Sequence, residues 1–153
     1  MGWFDWLRKV PAPVIDHPRF GRVRAAYRPA SGPWLWETLD LVPTARGEAD
    51  VGFDAPETGP TSDQERQFDW ILANLDPLTM AAAPMIAAEL KNWPVIFSPD
   101  DPWAELEWHG AHLTDNSSPE GDWQIAYGCK SWPDAMITIY FEAGRPSSSR
   151  LDD

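Results

Sequence analysis

The stretch TSDQERQFDWILANLDPLTMAAAPMIAAELKN, Thr61–Asn92, decides the fold, because it carries the helical period and divides the chain into two strand-rich parts. Thr61 stands as an N-cap, Gln64 follows three residues on, and Asp63 and Glu65 occupy the first turn. This is a capping-box pattern whose charges complement the helix dipole. Phe68, Ile71, Leu72 and Leu75 then recur at helical spacing. Asp76-Pro77 reads as a break and restart, with Asp76 as N-cap and Pro77 at the first helical position. Met80, Ala83, Ala87 and Leu90 continue on one face, and Pro84 is expected to kink or end this second piece. The spacing predicts two abutting helices or one bent helix.

Three strand-like runs precede this stretch. From His17 to Arg28, Val23, Ala25 and Tyr27 alternate with Arg22, Arg24 and Ala26, the period of a strand with one wet face. After a turn at Pro29–Pro33, Trp34–Val42 forms the second, with Leu35, Leu39 and Leu41 on one face and Trp34, Trp36, Thr38 and Asp40 on the other. Beyond Pro43–Gly47, Val51 and Phe53 alternate with Asp50 and Asp54. Downstream of the helices, Ser98–Trp103 opens a single helical turn, and Leu106 and Trp108 share a strand face opposite Glu105 and Glu107. After a polar turn at 114–121, Trp123, Ile125, Tyr127 and Cys129 alternate with Asp122, Gln124 and Lys130. The last strand carries Ile137, Ile139 and Phe141. Turns this short favour antiparallel meanders. The expected fold class is therefore α+β: an antiparallel sheet of five to seven strands, in the order three strands, helices, three strands, with one or two helices on one face. The domain is expected over 14–143, after an amphipathic segment at 1–13 and before a polar, disordered tail at 144–153. Phe68, Ile71, Leu72, Leu75, Val51, Phe53, Ile125, Tyr127, Ile137 and Ile139 are the expected core.

A chain of 153 residues with a hydrophobic share of 43% suits one domain with a real core and excludes a disordered polymer. No apolar run approaches the roughly 20 residues of a membrane helix. Asp5 precedes Arg8-Lys9 and no apolar stretch follows, so no signal peptide is expected; Trp6 stands where an N-myristoylation signal has Ser or Thr. Cys129, the single cysteine, has no internal disulfide partner, which points to a reducing, cytoplasmic compartment. The net charge of −12 is unevenly spread, residues 51–110 holding two basic and eleven acidic side chains. Phosphate neutralisation requires the opposite sign, so nucleic acid is excluded as a partner. An acidic middle suits a basic protein, drawn in by its field.

No residue set stands out as catalytic. His109 and His112, near Glu107 and Asp115, invite a metal, but positions i and i+3 of a regular strand point to opposite faces, and the i, i+4 helical pairing is missing. No metal and no cofactor is therefore expected. Cys129 alternates with apolar residues and reads as a buried, inert thiol. The chain has no glycine-rich phosphate loop. Most of the ten tryptophans read as packing, whereas Trp36, Trp103 and Trp132 sit beside charge or in turns, as aromatic binding residues do. Arg22, Arg24 and Arg28 are expected to pair across the sheet with acids such as Glu37 or Asp40.

Several motifs resemble a family of uncharacterised bacterial domains. They are His17-Pro18-Arg19-Phe20-Gly21, Pro60 to Gln64 at the helix start, Asn74 near the first helix end, and Pro99-Asp100-Asp101-Pro102-Trp103 before the second strand set. The resemblance spans about residues 17–142 and implies a fold more firmly than a function. Some members of that family lie in polymorphic toxin loci and are read as immunity proteins, and the family brings no catalytic residues with it. The function expected from residues and resemblance together is an acidic, cytoplasmic protein-binding domain that neutralises a basic toxin by occluding its active site. Asp100, Asp101, Glu105, Glu107 and Trp103, with Trp36 and Trp132, are the expected contacts. A rival reading is a small enzyme with a cleft near His109, His112 and Asp115. A third is an accessory subunit that docks through Trp3, Trp6 and Leu7, although that apolar face is expected to cap this domain's own sheet or helices.

Overall fold

A computed structural model describes residues 11–153; the expected amphipathic segment falls largely on residues outside these. The first half builds β1 (Val14–His17), β2 (Gly21–Tyr27), β3 (Trp34–Thr38), β4 (Val42–Thr44) and β5 (Gly47–Ala55). Two helices follow, α1 (Ser62–Ala73) and α2 (Leu75–Leu90), then a 3-10 turn at Pro102–Ala104. The second half builds β6 (Leu106–Leu113), β7 (Trp123–Cys129), β8 (Trp132–Glu142) and β9 (Arg145–Asp152).

Among the described residues these nine strands form one sheet in the order β1-β2-β3-β5-β6-β7-β8-β9, with β4 paired to β5. The α+β class holds, but the sheet is larger than the expected five to seven strands and is mixed. Each half is an antiparallel meander, as its short turns require, whereas β5 and β6 pair in parallel, Val51 opposite Ala111 and Phe53 opposite Leu113. The physical reason is the long helical crossover between them, the connection that a parallel pair needs.

Several strand boundaries differ from the sequence reading. His17–Gly21 is the β1–β2 turn rather than strand interior, with Gly21 at φ 69°. The turn buries Phe20 against Phe53 and Phe68, at ring distances of 4.6 and 5.5 Å. A bulge at Ala26 reverses the expected face of Tyr27 and leaves it exposed. In β3 the tryptophan face is the buried one. The expected tail at 144–153 is a strand: β9 pairs with β8 from Glu142↔Arg145 to Met136↔Asp152, so the domain runs past residue 143.

The helix start is as expected. Thr61 Oγ1 accepts from the Gln64 N–H (3.3 Å) and Gln64 Oε1 accepts from the Thr61 N–H (3.0 Å). Gln64 Nε2 also donates to the carbonyls of Asp54 (2.8 Å) and Thr114 (3.1 Å), which fastens α1 to the ends of the parallel pair. The break falls at Asn74 rather than at Asp76, and the helices bend by 75° there. α2 continues through Pro84 to Leu90, and its buried face is Leu75, Leu78, Thr79, Ala82, Ala83, Ile86 and Leu90, leaving Met80 outside. The core lies between the helices and one sheet face. It holds nine of the ten expected residues, with Leu72 partly buried at its margin. The Tyr127 hydroxyl lies 2.9 Å from Thr79 Oγ1, which itself donates to the Leu75 carbonyl at 2.7 Å, tying β7 to α2. Among the described residues no single helix is long and apolar enough to cross a membrane.

Candidate functional site

The sheet face turned away from the helices carries the site. Its floor is small: Gly52 on β5, Gly110 on β6 and Ala126 on β7 stand near one another, with Gly110 registered against both Asp50 and Ala126. Glycine is required at 110, since a Cβ there would meet the Asp50 carbonyl oxygen at 1.9 Å. Two imidazoles lie over neighbouring strands. A Cβ on Gly52 would come within 2.5 Å of His112 Nδ1, and one on Gly128 within 2.5 Å of His109 Nε2. Strand-interior glycines that admit such close approach are a recognised use of the residue.

This arrangement corrects the expectation that the two histidines diverge. The β6–β7 register shifts between Trp108 and Gly110, so His109 is the extra residue of a bulge. A one-residue bulge breaks the period-2 rule, and both rings come to the open face. His112 Nε2 lies 3.2 Å from Asp54 Oδ1, which orients its ring toward β5. Asp115 stands in the loop beyond β6 and lines neither depression of this face, so the three-residue cleft of the enzyme reading does not assemble. Among the described residues no group of three or more His, Cys, Asp and Glu gathers as a metal site.

Two depressions, of about 590 and 480 Å³, share Leu41, Glu48 and His109 and so form one continuous groove. It runs from Glu37 and Asp50 over the glycine floor to Glu107 and Trp103. The cations lining the groove among the described residues, Arg46 and Lys130, are both held by the chain itself. Arg46 pairs with Asp76 and lies over the Trp103 ring, 4.4 Å from its centroid. Lys130 Nζ donates to the Trp103 carbonyl at 2.6 Å. Outside the groove lining, Arg24 pairs with Glu37 and Arg22 with Asp40 at 2.9 Å, two of the cross-strand pairs expected from the sequence, whereas Arg28 lies over the Trp34 ring, 5.8 Å from its centroid. Glu48, Asp50 and Glu107 have no ion-pair partner among the described residues, and three such carboxylates against the unpaired ammonium of Lys130 leave the groove's balance negative.

The expected contact residues separate into three groups. Glu107 and Trp103 line the groove, although Trp103 is held from below by its indole N–H bond to Asp76 (3.0 Å). Asp100 and Asp101 are exposed before the 3-10 turn, and Trp132 is half-buried, stacked on Trp93 at 4.7 Å. Trp36 is a correction, and Glu105 is partly engaged by its own chain. Trp36 is 0% exposed, with its indole N–H on the Pro56 carbonyl at 2.9 Å, so its side chain is closed to a partner. Glu105 accepts from the Ser131 N–H at 2.9 Å and from its hydroxyl, and so serves the β7–β8 turn. Cys129 is 2% exposed, and burial followed by the nearby Glu105 charge pushes its thiol up to about 11.

The sequence reading missed Glu48, Asp50 and the glycine floor. Asp50 and Asp54 were visible as the wet face of their strand, and glycine at 52, 110 and 128 inside strand-like runs was the available signal. Comparison of the chain with protein-family models, curated proteins and solved structures finds no match.

Proposed function

We propose that the protein is a binding module that receives a basic protein in the acidic groove of its open sheet face. The observation that carries this reading is the charge balance inside the groove. Arg46 is paired with Asp76 and Lys130 is bound to backbone carbonyls, while Glu48, Asp50 and Glu107 have no ion-pair partner among the described residues, which leaves three carboxylates against one ammonium. Carboxylates in such a position steer a basic partner and raise its association rate. The resemblance to domains of toxin loci supports an immunity role, in which the partner is a basic toxin whose active site this face occludes. Asp100 and Asp101 extend the acidic surface beside the 3-10 turn.

The test is kinetic. A partner captured by the wild-type chain is expected to be basic and to associate about tenfold more slowly when salt rises from low to physiological strength. Reversing charge at Glu48, Asp50 and Glu107 together is expected to weaken it by about tenfold or more with the melting temperature unchanged. A complex indifferent to salt and to the triple change would remove this reading.

A further inference from the structure

The deeper part of the groove has a shape of its own, and from it we infer that the glycine floor seats an arginine side chain of the partner, an inference that rests on the basic-partner reading. Gly110 and Ala126 line the depression and offer nothing larger than a methyl group, so a flat group can lie against the strands there. Gly128 is covered by the His109 ring, and His112 leans the other way over Gly52 toward Asp54. The imidazoles thus stand over β7 and β5, with the Gly110–Ala126 floor between them.

The chemistry around that floor is divided. Asp50, in register with Gly110, and Glu48 on the same strand supply carboxylates free of cations among the described residues. Leu41 and Met136, 52% and 41% exposed, supply apolar walls. A ligand that matches both is a cation on an apolar stem. A guanidinium fits better than an ammonium: it is planar, stacks on aromatic faces and engages carboxylates through two parallel hydrogen bonds. A cavity of about 590 Å³ lies within the range of about 300–1,000 Å³ typical of ligand sites, and it exceeds one side chain, so the peptide backbone flanking the arginine enters as well.

The full chain, with labelled methionine and alanine methyl groups, is titrated by NMR with N-acetyl-arginine amide, N-acetyl-lysine amide and the neutral isostere N-acetyl-citrulline amide. The arginine probe is expected to shift the Met136 and Ala126 methyls and the His109 and His112 ring signals saturably. The lysine probe should be weaker and the citrulline probe silent. Combining Glu48→Gln with Asp50→Asn should raise the dissociation constant about tenfold. The Glu57→Gln, Glu120→Gln pair, exposed and away from the groove, should leave it unchanged. Citrulline acting as strongly as arginine, shifts centred away from the floor, or indifference to the Glu48 and Asp50 changes would each overturn the arginine seat. A salt-sensitive basic partner that still binds the Glu48→Gln, Asp50→Asn chain would overturn the seat alone and leave the proposed function standing. A partner indifferent both to salt and to charge reversal at Glu48, Asp50 and Glu107 would remove the proposed function itself.

Discussion

At the residue scale the site depends on what glycine leaves out. Gly110 cannot carry a Cβ because the Asp50 backbone stands 1.9 Å from where it would lie, and backbone in a paired strand has no room to retreat. The three atoms nearest to where a Cβ on Gly128 would lie all belong to the His109 ring, an exposed side chain that can swing away. The two positions should therefore respond differently to the same change. Gly110→Ala is expected to cost about 2 kcal/mol or more in urea unfolding, and Gly128→Ala less than about 1 kcal/mol, with His109 displaced. Equal losses would refute this account of the floor. The glycines were legible in the sequence. What they make room for was not, because the bulge that turns His109 outward is a register effect with no residue signature of its own.

At the element scale two features carry testable consequences. The first is α1, which buries two glutamines one turn apart. Gln64 bonds both the Thr61 N–H and the strand-end carbonyls, whereas neither amide atom of Gln67 has a partner among the described residues. Removing a satisfied buried amide strands its partners, while removing an unsatisfied one relieves a desolvation cost. Gln64→Leu is expected to lose about 2–3 kcal/mol by chemical denaturation, and Gln67→Leu to be neutral or stabilising. Comparable losses from both would contradict the assignment. The second is β9, whose sequence RPSSSRLD carries Leu151 as its one large apolar side chain. Its strand state comes from the ladder with β8, from a tight turn with positive φ at Ala143 and Gly144, and from packing against α2, where Ser149 donates to Glu89. Deleting residues 145–153 should lower the melting temperature by about 10 °C or more. A true tail would leave it unchanged.

At the scale of the whole molecule, burial of ionisable groups couples stability to alkaline pH. Cys129 ordinarily titrates near 9.0 and is held up to about 11, and desolvation likewise raises Tyr127 above its ordinary 10.0. Both native groups are neutral. Below about pH 9 the unfolded chain holds these protons too, and their contribution is fully present. Above it the unfolded thiol ionises while the native one does not, so stability falls as pH rises from about 9 to 11. The urea midpoint should decline over that window, and Cys129→Ala should flatten the decline. An unchanged slope would show that Cys129 does not carry it.

The sequence by itself determined the helix start at Thr61, the alternation that buries Val51, Phe53, Ile125, Ile137 and Ile139, the cross-strand arginine pairs and the acidic balance. These are local or periodic properties, written in neighbouring residues. Only the tertiary structure decided the parallel β5–β6 pair, the strand at 145–152, the burial of Trp36 and the gathering of Glu48, Asp50, His109 and His112 along one groove. Each of these depends on strand order and register, which bring together residues up to tens of positions apart, and no local period encodes that choice.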